Sequence, residues 1–591
     1  MDKLQAADEI IIPKLMLRLL PVQIVYAAVS AVGGIVSSYF ASNYIGVEAM
    51  SAVGLFGPVN MLLTAISLML SSGATVCVGK YMGRNQQDKM QNAFSLSLVL
   101  CMIAGFLFTA LFLLLSLFDL TGFLTRDEAV RSMLNRYFLG QAVGVIPLLL
   151  GNQLMAYLSL ENKGMLTLAA SLSYVFVGFA LDLLFVRYWH MGMFGLSLAA
   201  SLGQWVMLGV GGWRYASGRS ELRCTAGKLD WHQTGAIMGV GVSGALSTIY
   251  QTVRGLIVNH LIMMFVGSVG ISAFAAADNL LRIFWAIPAG MTVVSRMLFS
   301  IGIGEEDRRM VTDVMRTVMT CYVPLICCVS VLIILGAAPL TQLFFRDTAE
   351  PVYTMTVWGL RILPICMPLS GICMHFTTYG DTADKNGIVQ TLSLLDGVVC
   401  VVGFTVLLIP VMGINSVYIA NVLNGVVTTL VIILYAWGMN RRFPRSVEAM
   451  LALPNGFGAP PEARIDITVK DMDEVVTIAR IVQDFCKARG IDQRRALLSG
   501  LALEEMAGNV VDHGFRKDKK SHTIDVRVFH KDEDVILRLK DDCIPFDPAS
   551  RKMLEDETDP TKNIGIRMVF RLAKDVQYQS ILGLNVLTIK I

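Results

Sequence analysis

The chain has 591 residues, of which 54% are hydrophobic and 16% are charged, and its formal net charge is only +3. Its mean hydropathy of +0.59 is too high for a soluble protein of this length. The small net charge gives no indication of a nucleic-acid partner. The eleven cysteines follow neither a disulfide nor a metal-ligand spacing, so we interpret most of them as small core residues.

Twelve apolar runs are each long enough to cross a membrane as a helix, which takes about 20 residues. The first run is too long for the apolar part of a signal peptide, and acidic residues precede it. An even number of spans places both ends of the chain on one side of the membrane. The predicted spans are 15–42, 49–76, 91–117, 137–159, 165–186, 191–213, 234–262, 270–295, 317–344, 352–378, 387–410 and 414–438.

Basic residues are distributed unevenly between the loops on the two sides. The positive-inside rule therefore predicts a protein of the cell (inner or plasma) membrane with both termini in the cytoplasm. The loops on the opposite side carry chiefly Arg126, Arg131 and Arg346. The loops on the side of the termini carry Lys80, Arg84, Lys89, Lys163, Arg214, Arg219, Arg223, Lys228, Arg308, Arg309, Lys385, Arg441, Arg442 and Arg445.

One stretch of the membrane part occurs twice. Residues Ser51–Gly83 and Ser272–Gly304 open with Ser-Ala, close on glycine at the same offset, and are followed by a charged run. A second pair of similar segments, starting at Met191-Gly192 and Met412-Gly413, follows in the same order. The two pairs of similar segments predict an internal duplication of roughly 220 residues. Parallel repeats of this kind are typical of secondary transporters.

The composition changes after Asn440. A basic and then Pro/Gly-rich segment, 441–461, is typical of a linker. Beyond it, segments of alternating polarity predict strands, and 475–488, 493–513 and 565–572 have helical spacing. We predict four regions: a first six-helix bundle (1–215), a second six-helix bundle (216–440), the linker, and a soluble domain (462–591) with helices on one face of a mixed or antiparallel sheet.

The membrane part resembles the MATE (multidrug and toxic compound extrusion) family. The resemblance lies in VSSYFASNYIG at the end of the first span, SAVGLFGPV at the start of the second, and the loop GKYMGRNQQD. It implies an all-α membrane domain of two six-helix bundles facing a central cavity, which exports drugs or metabolites against a proton or sodium gradient. Ser37 stands where many family members carry an aspartate.

Charged residues inside spans are functional hypotheses by default, because a charge in hydrocarbon is costly. In the first half, the ionisable candidates Asp182 and Arg187 are placed at a helix end. The second half carries five charges that we interpret as buried and as candidates for substrate binding or ion coupling, although they could instead be ion pairs that hold the bundle together. These are Arg254, Asp278, Arg282, Arg361 and Asp396.

A polar helix face marks the carboxy-terminal domain. In LEEMAGNVVDHGF, residues Glu505, Asn509 and His513 follow one another at helical i, i+4 and i+8 positions. An asparagine supplies the neutral oxygen that Mg²⁺ accepts, and a carboxylate one turn earlier can take a proton from an attacking hydroxyl or water. This pattern suits a magnesium–nucleotide site.

This domain resembles the anti-sigma-factor serine kinases of the GHKL (histidine kinase-like) ATPase superfamily. Besides the Glu–Asn–His helix, KDDCIPFDP and KNIGIRMVFRLAKDVQY match two further motifs in order. The resemblance implies an α+β sandwich of GHKL type that binds Mg-ATP or Mg-ADP. It implies that Asn509 is the magnesium ligand, Glu505 the general base and Asp541 the acceptor for the adenine amino group, with His513 and Gly565 also at the nucleotide.

The chain departs from this family's pattern at three positions. Cys543, Lys562 and Asn563 stand where glycines are usual, and glycine lets backbone approach phosphate closely. Two states of the domain therefore remain open: an active ATPase or protein serine kinase, or a binding module that has lost catalysis.

Three functions remain open for the whole chain. The first is an exporter with a cytoplasmic nucleotide-binding regulatory domain. The second is a membrane sensor without net transport, whose tail phosphorylates or sequesters an anti-anti-sigma-like or sigma-factor-like protein. The third is a lipid flippase. An ATP-driven pump is disfavoured because the sequence contains no Walker A loop.

Overall fold

The protein was analysed as a computed structural model, which describes residues 11–123, 125, 127–224, 229–342, 345, 347–459, 461–515, 522–531, 534–548 and 564–591. It separates into two compact units, each described here by itself. The membrane unit comprises Met16–Glu305 and Arg309–Ala452, and the carboxy-terminal unit comprises the described parts of Met1–Leu15, Glu306–Arg308 and Leu453–Ile591. The predicted loop residues Arg126, Lys228 and Arg346 lie outside the described residues.

The membrane unit is built from helices. The first half contains α1 (Ile11–Phe40), α2 (Val47–Gly83), α3 (Gln87–Leu117), α4 (Glu128–Ala142), α5 (Val145–Leu160), α6 (Gly164–Asp182) and α7 (Gly192–Ala216). The second half contains α8 (Gln233–Phe265), α9 (Ser268–Phe284), α10 (Ala286–Gly304), α11 (Arg308–Thr317), α12 (Val323–Leu335), α13 (Ala337–Gln342), α14 (Pro351–Ile362), α15 (Cys366–Thr382), α16 (Asn386–Leu394), α17 (Cys400–Met412) and α18 (Asn415–Asn440), after which α19 (Val447–Leu451) follows.

The predicted number of spans agrees with the structure. Within the described residues, 11 helical segments are long and apolar enough to cross a membrane, and the pair α4 and α5, bent by 48°, raises the number to 12. One predicted span, 270–295, is interrupted, because α9 and α10 meet at Trp285. Pro288 lies near the start of α10, where a proline lacks the N–H and its ring collides with the carbonyl four residues earlier.

The duplication is visible in the backbone. Four positions with positive φ in the first half recur 221 or 222 positions later with positive φ. The pairs are Gly46 and Gly267, Asn85 and Glu306, Asn162 and Asp384, and Gly192 and Gly413. Residues with positive φ are uncommon outside glycine, so the agreement in spacing confirms the internal repeat.

The two halves of the membrane unit touch where α2 crosses α8. A Cβ on Gly73 would overlap the main-chain carbonyl of Ile237, and a Cβ on Gly241 would overlap that of Met69. Only glycine permits this approach of two helix backbones. An ion pair, Lys80 Nζ to Asp384 Oδ2 at 2.9 Å, also joins the two halves.

The carboxy-terminal unit contains a five-stranded antiparallel sheet of order β1-β2-β3-β5-β4. Its strands and helices are β1 (Arg464–Val469), α20 (Met472–Ala488), α21 (Gln493–Asn509), β2 (Ile524–Lys531), β3 (Asp534–Asp541), α22 (Ile564–Leu572), β4 (Asp575–Ile581) and β5 (Leu584–Lys590). Apolar residues of the strands and of the three helices share one buried core. The predicted sheet with helices is therefore confirmed.

Side-chain caps define the two long helices of this unit. The carboxylate of Asp471 accepts from the backbone N–H of Glu474, and that of Asp492 accepts from the backbone N–H of Arg494. Such caps satisfy N–H groups that have no partner inside the helix. They fix where α20 and α21 begin, and α21 carries the polar residues singled out from the sequence.

Candidate functional site

Glu505 and Asn509 are joined directly on α21. Asn509 Nδ2 donates to Glu505 Oε1 at 2.9 Å and to the main-chain oxygen of Glu505 at 2.7 Å. Both bonds use the amide nitrogen, which leaves the amide oxygen as the atom of the type that a hard cation binds. The predicted spacing on one helix face thus places the two side chains in contact.

His513 lies beyond the end of that α-helix. The chain continues from Asn509 into a π-helical turn, Val510–Gly514, which has more residues per turn than an α-helix. The i+8 position therefore does not continue the face of Glu505 and Asn509, and the His513 side chain is exposed. Its role at a nucleotide stays a prediction.

Gly565 packs against the Glu505 carboxylate at the start of α22. A Cβ at this position would overlap Glu505 Cδ and both carboxylate oxygens. The contact brings the third sequence motif to the first, and a larger residue there would require the Glu505 carboxylate to move. Lys562 and Asn563 lie outside the described residues.

Asp541 ends β3 and is buried. Its Oδ1 accepts from Asn585 Nδ2 at 2.7 Å and from the main-chain N–H of Cys543 at 3.0 Å. Asn585 in turn accepts from Tyr578 Oη at 2.9 Å, and Tyr578 Oη accepts from the main-chain N–H of Phe546 at 3.0 Å. These partners hold the carboxylate in one orientation. No sequence motif had indicated Asn585, and Tyr578 is the last residue of the third motif, where no role was predicted for it.

Burial raises the pKa of Asp541, and hydrogen bonds from Asn585 and Cys543 offset part of that rise. A buried carboxylate that is already oriented suits one further donor, such as an amino group. Together with the Glu505–Asn509 pair and the close approach at Gly565, the residues present fit a magnesium nucleotide.

None of the five predicted membrane charges is fully buried: three are exposed, and Arg254 and Asp396 are half-buried. Asp278 and Arg282 form the expected i, i+4 ion pair, with Arg282 Nη2 at 2.7 Å from Asp278 Oδ2, but more than half of each side chain is exposed. Arg361 is exposed and lies over the ring of Trp358 at 5.6 Å. The interpretation of these side chains as buried was wrong, because each lies on a helix face that the rest of the unit does not cover.

Arg254 and Asp396 meet in the second half of the unit. Arg254 Nη1 donates to the main-chain oxygen of Asp396 at 3.2 Å, and Asn424 Nδ2 donates to Asp396 Oδ1 at 2.7 Å. A second acid of this half, Asp381, accepts a hydrogen bond from Ser243 Oγ at 2.6 Å. Each of these acids therefore has a polar partner.

Asp182 is a buried acid of the first half. Its side chain is 3% exposed, and Oδ1 has no hydrogen-bond partner among the described residues. It lies within electrostatic range of Tyr137 and Tyr174, and the Tyr174 ring is wedged between Gly33 and Gly203. The sequence had placed Asp182 at a helix end, but a π-helical turn extends that span to Tyr188.

The short helix α19, which follows the last span, is anchored within the membrane unit. Lys385 Nζ donates to the main-chain oxygens of Leu451 and Ala452, both at 2.8 Å, and Tyr379 Oη donates to that of Leu451 at 2.9 Å. The ammonium lies 5.2 Å from the Tyr379 ring and 5.6 Å from the Tyr435 ring. Burial lowers the pKa of Lys385 to about 8.

Comparison with family models gives two matches that cover different parts of the chain. The MatE model matches residues 22–184, and the model described as histidine kinase-like ATPase domain matches residues 468–591. A comparison with curated proteins gave no match.

Solved structures share the fold of the membrane part. A crystal structure of MATE in complex with MaL6 has a TM-score of 0.68 and 19% identity, covering 74% of this chain and 97% of that one. An outward-facing multidrug resistance MATE transporter of the MOP superfamily gives the same TM-score and identity, covering 74% and 96%. A MOP superfamily transporter from Pyrococcus furiosus, described as having a binding pocket of reverse polarity, has a TM-score of 0.67 and 19% identity, covering 74% and 96%.

The family matches, the shared fold and the apolar helices lead to one identification. The chain is a multi-pass membrane protein that carries a MatE domain in a membrane unit with the MATE transporter fold, followed by a histidine kinase-like ATPase domain.

Proposed function

We propose that the protein is an ion-gradient-driven exporter of the MATE type whose carboxy-terminal domain binds a magnesium nucleotide and regulates transport. The observation that carries the transport function is the buried carboxyl group of Asp182, which has an oxygen without a hydrogen-bond partner among the described residues. A buried ionisable group without a partner is costly unless it gains a proton or a cation.

Asp182 is therefore the proposed binding site for the coupling ion, a proton or sodium. Ion binding neutralises the carboxylate, and ion release restores a charge that the surrounding apolar helices disfavour. If the contacts around Asp182 differ between two conformations of the transporter, ion binding shifts the equilibrium between those conformations. The cluster around Asp396 is the second candidate site in the membrane unit.

Transport can be tested with the full-length protein in proteoliposomes. We expect efflux of a cationic dye such as ethidium when a proton or sodium gradient is imposed, and no efflux when the gradient is collapsed by an ionophore. Gradient-independent dye movement would contradict an exporter. No movement of dyes or of a panel of metabolites, with the protein shown to be folded, would favour a sensor without net transport.

In the carboxy-terminal domain, we propose that Asn509 Oδ1 holds magnesium bound to the nucleotide phosphates and that Asp541 accepts a hydrogen bond from the adenine amino group. Gly565 keeps the third motif close enough to Glu505 for both to lie at the phosphates. The magnesium ion would neutralise phosphate charge. Glu505 would accept the proton of an attacking water, or of a hydroxyl of a partner protein.

Calorimetry of the full-length protein in detergent tests nucleotide binding. We expect Asn509→Ala to weaken Mg-ADP binding at least tenfold, and Asp541→Ala to cost about 1–3 kcal/mol, which is about 5- to 150-fold. Glu505→Ala should keep binding and lose turnover. Asp484→Asn is the matched control, because this acid is exposed on the neighbouring α20. No heat from the folded wild type would contradict nucleotide binding.

The raised pKa of Asp541 gives this site a pH dependence. The adenine amino group favours the ionised carboxylate, so affinity should fall as pH drops from neutrality through the raised pKa of the free site. Asp541→Asn should lack this decline, since its amide oxygen accepts a hydrogen bond at every pH. Inosine diphosphate, which has a carbonyl in place of the amino group, should show no preference for the wild type over Asp541→Asn.

Regulation is proposed to pass through α19. Lys385 and Tyr379 hold its last carbonyls, and the neighbouring Asp384 pairs with Lys80 of the other half. We expect Lys385→Met to retain nucleotide binding and to make transport insensitive to nucleotide. If Mg-ADP changes the transport rate of Lys385→Met as it does that of the wild type, regulation does not pass through the Lys385 contact with α19.

Both termini are proposed to be cytoplasmic. The exposed Cys224 tests this orientation, because it lies in a loop on the predicted cytoplasmic side, whereas Cys486 is buried and poorly suited to labelling. We expect a membrane-impermeant maleimide to label Cys224 only after the cells are opened. Labelling of Cys224 in intact cells, with Cys224→Ser as the control, would reverse the orientation.

A further inference from the structure

We propose that His522, Asp542 and Cys543 form a binding site for a divalent cation of the zinc class. Each residue offers one ligand atom, and the three atoms all lie within 4.8 Å of one another. The site claim does not depend on nucleotide binding. Its consequence for the neighbouring Asp541 rests on the proposed function.

The β2–β3 hairpin brings these residues together. The two strands are antiparallel with Ile524 opposite Asp541. Extending this register by two places sets His522 opposite Cys543, with Asp542 next to it in the chain. Residues directly opposite in an antiparallel pair have Cβ atoms about 4.5–5.5 Å apart. The imidazole and the thiol therefore lie close together just beyond the paired ends of two interior strands.

The separations of the donor atoms suit a small tetrahedral ion. His522 Nδ1 lies 2.8 Å from Asp542 Oδ1, and the remaining separations do not exceed 4.8 Å. With metal–ligand distances of 2.0–2.3 Å, a tetrahedral zinc ion holds its donors about 3.3–3.6 Å apart. Small side-chain rotations are sufficient to move from the hydrogen-bonded arrangement to the metal-bound one.

Burial and charge also favour this class of ion. The side chains of His522 and Asp542 are 2% and 17% exposed, and Cys543 is buried, so the site opens to solvent at Asp542. On binding, the Cys543 thiol releases its proton to solvent, and His522 binds as the neutral imidazole with its proton on Nε2. Thiolate, carboxylate and a divalent ion then sum to zero charge. A thiolate with an imidazole selects zinc over magnesium.

Two existing contacts bear on this site. Lys14 Nζ lies 3.0 Å from Asp542 Oδ2, but this lysine side chain is 46% exposed and can withdraw when a cation enters. The second contact is the hydrogen bond between His522 Nδ1 and Asp542 Oδ1, which the metal would replace.

The metal would also constrain the neighbouring Asp541. The main-chain N–H of Cys543 donates to Asp541 Oδ1, and Asn585 Nδ2 donates to the main-chain oxygen of Cys543. An ion that draws Cys543 Sγ toward His522 pulls on the same residue that orients the Asp541 carboxylate. Zinc occupancy should therefore change nucleotide affinity through Asp541, without contacting the nucleotide phosphates.

Cobalt substitution tests the site in the full-length protein, purified through a tag that contains no histidine. We expect one Co²⁺ per chain with a sulfur-to-cobalt charge-transfer band in the near ultraviolet, displaced by Zn²⁺ and unaffected by Mg²⁺. Cys543→Ser should lose the band. His522→Gln, which can still hydrogen-bond to Asp542, should weaken Co²⁺ binding at least tenfold while the protein stays folded by circular dichroism.

Two control variants separate this site from other thiols. Cys486→Ser removes a buried thiol of the same unit, and Cys224→Ser removes an exposed one; both should keep the band. A band that persists in Cys543→Ser, or one that disappears in Cys224→Ser, would overturn the proposal. If Cys543→Ser does not fold, unchanged Co²⁺ affinity in His522→Gln overturns it. Cobalt binding without any nucleotide binding would leave the metal site intact and refute only the nucleotide function.

Discussion

In the first half of the membrane unit, Asp182 is buried and one of its carboxylate oxygens lacks a hydrogen-bond partner among the described residues. In the second half, Asp278 pairs with Arg282, Asp396 is held by Asn424, and Asp381 is held by Ser243. The two halves nevertheless share four positions at which the backbone takes positive φ. The same backbone therefore carries acids with a hydrogen-bonding partner and an acid with an unpartnered oxygen.

The difference supports the proposed role of Asp182 in ion coupling. A partnered acid is stabilised in the folded state by a hydrogen bond or an ion pair, and removing the partner costs about 1–3 kcal/mol. An acid without such a partner keeps the cost of its own burial until a proton or a cation arrives. Substitutions that remove one acidic charge at a time should therefore show which half of the membrane unit the transport activity depends on.

The largest effect is expected for Asp182→Asn. An amide cannot exchange a proton or hold sodium as a carboxylate does, so gradient-driven dye efflux should fall to the level of empty liposomes. The amount of the variant protein in the membrane and its thermal stability should be unchanged or higher, because a buried ionisable group is replaced by a neutral one. Wild-type efflux from this variant would place ion coupling elsewhere.

Asp396→Asn should have an intermediate effect. The amide oxygen can still accept the hydrogen bond from Asn424, and Arg254 donates to a main-chain oxygen that the substitution leaves in place. We expect efflux to fall by less than tenfold, with normal amounts of protein. If Asp396→Asn abolishes efflux while Asp182→Asn does not, the roles assigned to the two halves are reversed.

Asp278→Asn should have the smallest effect. The pair with Arg282 is more than half exposed on both side chains, and exposed i, i+4 pairs contribute about 0.3–0.5 kcal/mol. Efflux and melting temperature should match those of the wild type within error. A loss of transport as large as that of Asp182→Asn would show that the open face of α9 takes part in substrate or ion movement.

The sequence was sufficient to predict the strands and helices of the carboxy-terminal unit. Half-buried strands show alternating polarity, and amphipathic helices show apolar residues at helical spacing, so both can be recognised locally. The sequence was also sufficient for the duplication and for the contact of Glu505 with Asn509, which are one helical turn apart. The sequence did not predict correctly that His513 shares the helix face of Glu505 and Asn509, because no local pattern indicated that α21 would continue as a π-helical turn.

Contacts between distant segments were harder to predict. Asn585 and Tyr578 reach Asp541 only through the pairing of β3, β5 and β4. His522 and Cys543 show no metal-ligand spacing because the hairpin, not the sequence interval, brings them together. The sequence placed Asp182 at a helix end because the apolar run stops near Val186, whereas the helical span continues to Tyr188.

Infrared difference spectroscopy of the purified protein examines ion binding at Asp182 without knowledge of the transported substrate. A pH or sodium titration of the wild type should show the carbonyl band of a protonated, buried carboxyl group appearing or disappearing as the coupling ion exchanges. This band should be absent from Asp182→Asn and present in Asp278→Asn. A wild-type band that persists unchanged in Asp182→Asn would contradict the assignment of ion coupling to the first half.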